Sequence, residues 1–361
     1  FQLFNQGQEV AIAVEGEDDG SFDPEDVLLF YGRGLDTKYT TVNVYWLTYS
    51  DAETGSRMEL RDGTPSLTLP NAPWFQERAA VQEDVSYWPG MPGDDHADRW
   101  LWVPIIAPNL TPTTQTLPIT LSRVASGPYS LTLRVQLYGF SWSEVDPDHH
   151  VRMYVDDAFV GEAWWDGRAG YLFEGDFASS GVVEGDNTIQ VSVECPGDTG
   201  PADYYDIVFV DWIEVDYRRT FDAEGDQLHF FGRDQGQAWE YAVDGFTTDD
   251  VHLFDITDPA RVSRIVSTTV AGGPVTYSLQ FSDSLAEREY RALAPAKRLS
   301  PLAIERDTHS DLEGTARGTD YILITHGDFY TDMQPLAAHR AAQGLTTLTV
   351  DVQDAYDEFS Y

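Results

Sequence analysis

The sequence predicts a mostly β protein: a β-sandwich of jelly-roll type, flanked by β-rich stretches and ending in the start of an α/β domain. Three observations carry that expectation. Apolar/polar alternation of period two recurs in short runs bounded by turn residues. Glycine (29) and proline (19) are spread along the chain rather than gathered in one linker. Only after residue 318 does the pattern change to strand, helix, strand.

Taken in order, Val10-Ala11-Ile12-Ala13-Val14 alternates and runs into the acidic turn Glu15 to Gly20. Val27 to Tyr31 and Val42 to Leu47 read as strands, and the Pro, Gly and Asp residues from Pro89 to Asp98 read as a long loop. A second unit, 104–217, holds the cleanest strands: Ser130 to Leu137, His150 to Val155, Thr188 to Cys195 and Ile207 to Val215. Turns at Asp156-Asp157 and Gly185-Asp186-Asn187 separate such runs, which predicts the sandwich. A third β stretch, 218–292, echoes the first: Phe30-Tyr31-Gly32-Arg33 recurs as Phe230-Phe231-Gly232-Arg233. Strand and turn chemistry alone can repeat so short a string. The other reading makes 1–103 and 218–292 one β domain with the sandwich inserted between them.

Residues 293–318, rich in Ala, Pro, Arg and Ser, read as an exposed linker. Asp320 to Thr325 is a continuous apolar run of the kind buried on both faces of a parallel sheet. Thr331 to Gln343 has helical spacing, Gly344 stops it, and Leu345 to Val350 supplies the next strand. Two strands and a helix cannot cover a parallel sheet, so 319–361 is expected to open a larger domain, with the chain a piece of a longer protein.

Composition narrows the function. Among 361 residues, 22 Lys+Arg face 61 Asp+Glu, a formal charge of −39, which opposes binding to nucleic acid or anionic lipid. Hydrophobic content of 42% with 13% aromatics excludes a disordered acidic tail. No apolar run reaches the roughly 18–20 residues of a membrane helix. Lys38 and Lys297 are the only lysines, a bias shared by high-salt adaptation and by GC-rich coding. The single cysteine, Cys195, excludes an internal disulfide framework.

The C-terminal motifs resemble a known family. Asp320-Tyr321-Ile322-Leu323-Ile324-Thr325-His326, Gln334 to Arg340 and Gln343-Gly344-Leu345 are similar to the opening of a gingipain-type cysteine peptidase domain. Val350 to Asp354 and Tyr356 to Tyr361 resemble the segment that follows it. Asn43 to Thr48, Asp98 to Trp102 and Asp211 to Tyr217 resemble, more loosely, β regions preceding that domain in bacterial relatives. The resemblance implies a caspase-like α/β fold, a secreted bacterial product, and a Cys–His pair acting on peptide bonds. In the family that pair lies well beyond the matched segment, so no catalytic residue is carried over to this chain, whose partner would be the downstream peptidase domain.

Other candidates stand on residue chemistry. Cys195 shares the apolar phase of Ile189, Val191 and Val193, the place of a buried structural thiol. His326 ends the first parallel strand, where α/β sites gather, and is expected to serve the loop. His149 and His150 are adjacent on a strand, point to opposite faces and do not form a zinc site. Calcium is the metal that the oxygen clusters Asp146 with Asp148, Glu184 with Asp186, and Glu15 to Asp19 would take. Trp164-Trp165 puts one ring in and one out, which offers one platform for a sugar ring and an alternative reading of the sandwich as a glycan- or surface-binding module. Arg298, Arg306 and Arg317 in the linker are candidate processing sites.

Overall fold

The architecture comes from a computed structural model that describes the chain except residues 36, 38, 39, 51–53, 67, 92–97, 234–236, 274, 286, 308, 309, 315–317, 360 and 361. The middle of the loop expected at Pro89 to Asp98 therefore lies outside the described residues, as does Arg317.

Eight strands build the sandwich: β1 (Val103–Pro108), β2 (Thr113–Val124), β3 (Ser130–Gly139), β4 (His149–Val155), β5 (Ala158–Trp165), β6 (Gly170–Ala178), β7 (Gly185–Cys195) and β8 (Tyr205–Arg219). One layer runs β1-β8-β3-β6 and the other β2-β7-β4-β5, with every neighbour antiparallel. Strands adjacent in sequence thus alternate between layers, apart from the hairpin β4–β5, and this interleaving is the jelly roll. The hairpin turns on Asp156 and Asp157, both at positive φ (45° and 64°), the backbone of a two-residue turn that matches strand twist. The layers meet at one corner, where Val124 pairs with Arg219, and Phe75–Gln82 extends the first layer beside the second half of β8. Period-two patterning makes the core: Leu131, Leu133, Val135 and Leu137 face Ile189, Val191, Val193 and Cys195, all buried.

Around the sandwich, residues 1–75 and 221–293 are joined by pairing and packing. Glu59–Asp62 runs parallel to Ser263–Val266 at the edge of a five-stranded sheet. From that strand Arg61 reaches both Asp255 and Asp283, and the Tyr290 hydroxyl donates to Asp283 at 2.8 Å. Phe75, Phe221, Phe230, Tyr241, Phe281 and Tyr290 form an aromatic core beneath. Trp74 lies between the Arg218 and Arg233 guanidiniums, 4.0 and 4.2 Å from its ring, tying β8 to the third stretch.

The repeated Phe-aromatic-Gly-Arg string has a shared geometry. The Arg33 backbone N–H donates to the Tyr45 hydroxyl at 2.8 Å, and the Arg233 N–H donates to the Tyr241 hydroxyl at 3.1 Å. In each copy that tyrosine also packs on the phenylalanine that opens the string. One difference from expectation is the strand read at Val42 to Leu47, which is only Trp46–Thr48. Asn43 and Val44 are held instead by the Asn5 side chain, which donates to the Asn43 side chain and the Val44 carbonyl.

At the C-terminus β9 (Tyr321–Thr325), α1 (Tyr330–Ala342) and β10 (Thr347–Asp351) form a parallel βαβ unit, followed by α2 (Val352–Phe359). Burial of β9 on both faces is not realised. Arg340 of α1 lies over the Tyr321 ring, whereas Ile322 and Ile324, on the opposite face, are exposed. One helix covers one face.

Candidate functional site

The strongest concentration of polar groups is inside one end of the sandwich. β4 opens with His149 facing inward and His150 outward, as strand alternation requires. Asp206 occupies the inward phase of β8 together with Val208 and Val210, so folding buries its carboxylate among apolar groups. That cost is offset by four partners. His149 Nδ1 lies 2.6 Å from Asp206 Oδ1, while Asp206 Oδ2 accepts from the Cys195 thiol (3.0 Å), the His150 N–H (3.2 Å) and the Thr199 hydroxyl (3.4 Å). Asp148, equally buried, accepts from the Ser143 and Gly167 N–H groups at 2.7 and 2.8 Å. His149 Nε2 stands 3.6 Å from Asp148 Oδ1 without a hydrogen bond. Gly139 makes room for this ring, because a Cβ there would lie 2.4 Å from His149 Nε2.

Cysteine, histidine and aspartate thus converge, yet the chemistry is not nucleophilic. Burial, then the Asp206 carboxylate, pushes the Cys195 thiol well above its ordinary range, so it remains a neutral donor. Cys195, His149 and Asp206 are sealed from solvent, which leaves a substrate no route to them. The cluster fastens the ends of β4, β7 and β8 to one another. Sequence reasoning placed Cys195 inward but missed Asp206; a carboxylate in phase with Val208 and Val210 was the available signal.

His150 makes a second, outward arrangement. Its ring stacks on Trp164 with centroids 3.4 Å apart and planes 13° off parallel. Asp198 holds Nδ1 at 2.8 Å and Glu162 holds Nε2 at 3.2 Å. Trp164 stays 45% exposed while Trp165 is 8% exposed and stacks on His149. The two tryptophans therefore divide between the faces.

Several members of the oxygen clusters are held by protein partners. Asp186 accepts from the Arg123 N–H at 2.9 Å, and Asp148 is buried apart from the surface carboxylate of Asp146. Glu184 is exposed at the start of the turn into β7. Glu15 receives Arg298 through two bonds of 2.7 and 2.8 Å, and Glu17 receives Arg57. The bond from Arg298 holds the Glu15 carboxyl below its usual range, against the opposing effect of burial. Among the described residues, no group of three or more His, Cys, Asp or Glu is placed to hold a metal ion.

The linker arginines differ. Arg298 is pinned to Glu15, whereas Arg306 is exposed in a stretch without regular secondary structure, together with Leu299, Leu302 and Ile304, all nearly fully exposed. His326 caps the turn after β9, its Nδ1 accepting from the Asp328 N–H at 3.2 Å, and its side chain is exposed. Among the described residues no helix is long and apolar enough to cross a membrane.

Comparison with known proteins agrees with this architecture. A family model described as Peptidase family C25 matches residues 315–361. The crystal structure of dimeric latent PorU from Porphyromonas gingivalis superposes with a TM-score of 0.64 at 14% identity, over 98% of this chain and 33% of that one. The chain therefore spans about a third of that protein's length. An FMN-binding beta-glucuronidase from Faecalibacterium prausnitzii L2-6 aligns over 59% of this chain and 38% of its own at 10% identity, with a TM-score of 0.22 that bears no argument. No curated protein matches. The resemblance read from the C-terminal motifs holds: the chain is similar to peptidase family C25 in sequence over residues 315–361, and to latent PorU in fold over nearly its whole length.

Proposed function

We propose that this chain is the non-catalytic N-terminal region of a secreted, gingipain-like cysteine peptidase, whose Cys–His pair lies beyond residue 361. The observation that carries the reading is the joining of a match to Peptidase family C25 at 315–361 to a β region whose one cysteine is a buried neutral thiol. Residues 1–292 then serve the peptidase domain of the same polypeptide as a prosegment or accessory unit, for folding, latency or targeting. Peptide-bond hydrolysis belongs to that domain.

The linker supports latency by its accessibility. Cleavage needs an accessible arginine on backbone outside helix and sheet; Arg306 is exposed, whereas the Arg298 side chain is held by Glu15. Arg317 belongs to the same proposal but lies outside the described residues. Sequencing the N-terminus of the mature parent tests this: a start after Arg306 or Arg317 is expected, together with a gain of activity over the uncut form. An uncut linker in a fully active enzyme would overturn the latency role.

A further inference from the structure

We propose that the outer face of the β2-β7-β4-β5 layer is a binding site for a neutral oligosaccharide, with Trp164 and Phe159 as two ring-stacking platforms. The face is legible from the register. His150 pairs with Trp164, Arg152 with both Glu162 and Glu194, and Tyr154 with Phe159. These side chains point away from the core, whose side of the same strands holds Val151, Met153 and Ala163. Trp164 is 45% and Phe159 59% exposed, at opposite ends of β5. Five residues at ~3.3 Å each set them roughly 15 Å apart, a span for several sugar units rather than one.

Three features favour a sugar over another occupant. First, the Trp164 ring is fixed before any ligand arrives, because its inner face stacks on His150 and both nitrogens of His150 are held by carboxylates. A rigid, half-exposed indole presents a flat apolar surface to the C–H face of a pyranose. Second, the ground between the platforms is polar and already ordered: Arg152 sits 3.2 Å from Glu194 and 3.7 Å from Glu162. Planar guanidinium and carboxylate groups are bidentate partners for vicinal hydroxyls. Apolar rings set apart by paired charges do not make the continuous apolar patch that a protein partner would cover. Third, the chain carries a net charge of −39 and the face carries carboxylates, which disfavours an acidic glycan and leaves a neutral one. The proposal does not depend on the peptidase reading and adds to it a targeting function located in the sandwich.

The test is calorimetric titration of the 361-residue chain with neutral gluco- and manno-oligosaccharides, α- and β-linked, in series of increasing length. Affinity should rise with length until both platforms are spanned. Trp164→Ala and Phe159→Ala should each weaken the longest ligand about tenfold. Thermal unfolding of each variant checks that the fold survives, and Phe159→Ala, at an exposed position, keeps the test decisive if Trp164→Ala unfolds. No binding across the series, or binding that both folded variants retain, would overturn the proposal.

Discussion

Asp211 is the residue whose ionisation bears most directly on stability. It sits in β8 at the irregularity where the partner register slips between Gln136 and Leu137. Burial, reinforced by Asp98 and Asp84, pushes its carboxyl up to about 7. An unfolded aspartate releases its proton near ~3.9, so the folded state binds more protons between that value and about 7. Stability therefore falls as pH rises through that window, by about 1–2 kcal/mol after allowance for partial exposure. Asp211→Asn should stabilise the chain by that amount at about pH 8 and barely at about pH 4, read from denaturant midpoints. An equal gain at both pH values would contradict the assignment. Cys195 gives a second residue-scale expectation: the folded chain should resist a thiol reagent that labels it fully in denaturant, and rapid labelling when folded would refute a sealed thiol. Its inward phase was legible from strand alternation. Its partner was not, because Asp206 opens the following strand in the opposite layer, and the two side chains meet only across the core of the jelly roll.

At the level of elements, alternation located the long sandwich strands well, since one-sided burial fixes both period and register. It did less for short pieces such as Trp46–Thr48, where side-chain bonds from Asn5 replace a ladder. The parallel pairing of Glu59–Asp62 with Ser263–Val266 left no local signal, because the partners are some 200 residues apart in the chain. That strand carries Arg61 to Asp255 and Asp283, whose side chains are 6% and 5% exposed. Arg61→Ala removes the cation shared by two buried carboxylates, leaving Asp255 only the longer contact to Arg288 at 3.7 Å, and should cost about 3 kcal/mol or more in chemical denaturation. A loss under about 0.5 kcal/mol would show the pair to be a surface contact in effect. In the linker, limited trypsin digestion should cut after Arg306 before Arg298, and Glu15→Gln should make Arg298 cleavable. Equal early cutting at both arginines would remove the structural distinction between them.

Across the whole molecule, a charge of −39 sets a self-repulsion that salt screens within roughly 10 Å at 0.1 M. The chain's Tm should rise as sodium chloride is raised from low concentration towards 1 M; a flat or falling Tm would mean that local Arg–carboxylate pairs outweigh the global repulsion. Fold class could be read from period and turn chemistry alone, and the family likeness from the motifs after residue 319. Activity could not be read from the β region, because its one Cys–His–Asp convergence is a buried fastening whose thiol stays protonated.

The most direct measurement is a paired peptidase assay under reducing conditions, with and without thiol alkylation. One sample is the 361-residue chain, and the other a longer polypeptide that includes the peptidase domain proposed to follow it. The account predicts hydrolysis of fluorogenic peptides by the longer polypeptide alone, abolished by alkylation. Peptide cleavage by the 361-residue chain, lost in Cys195→Ala, would contradict it.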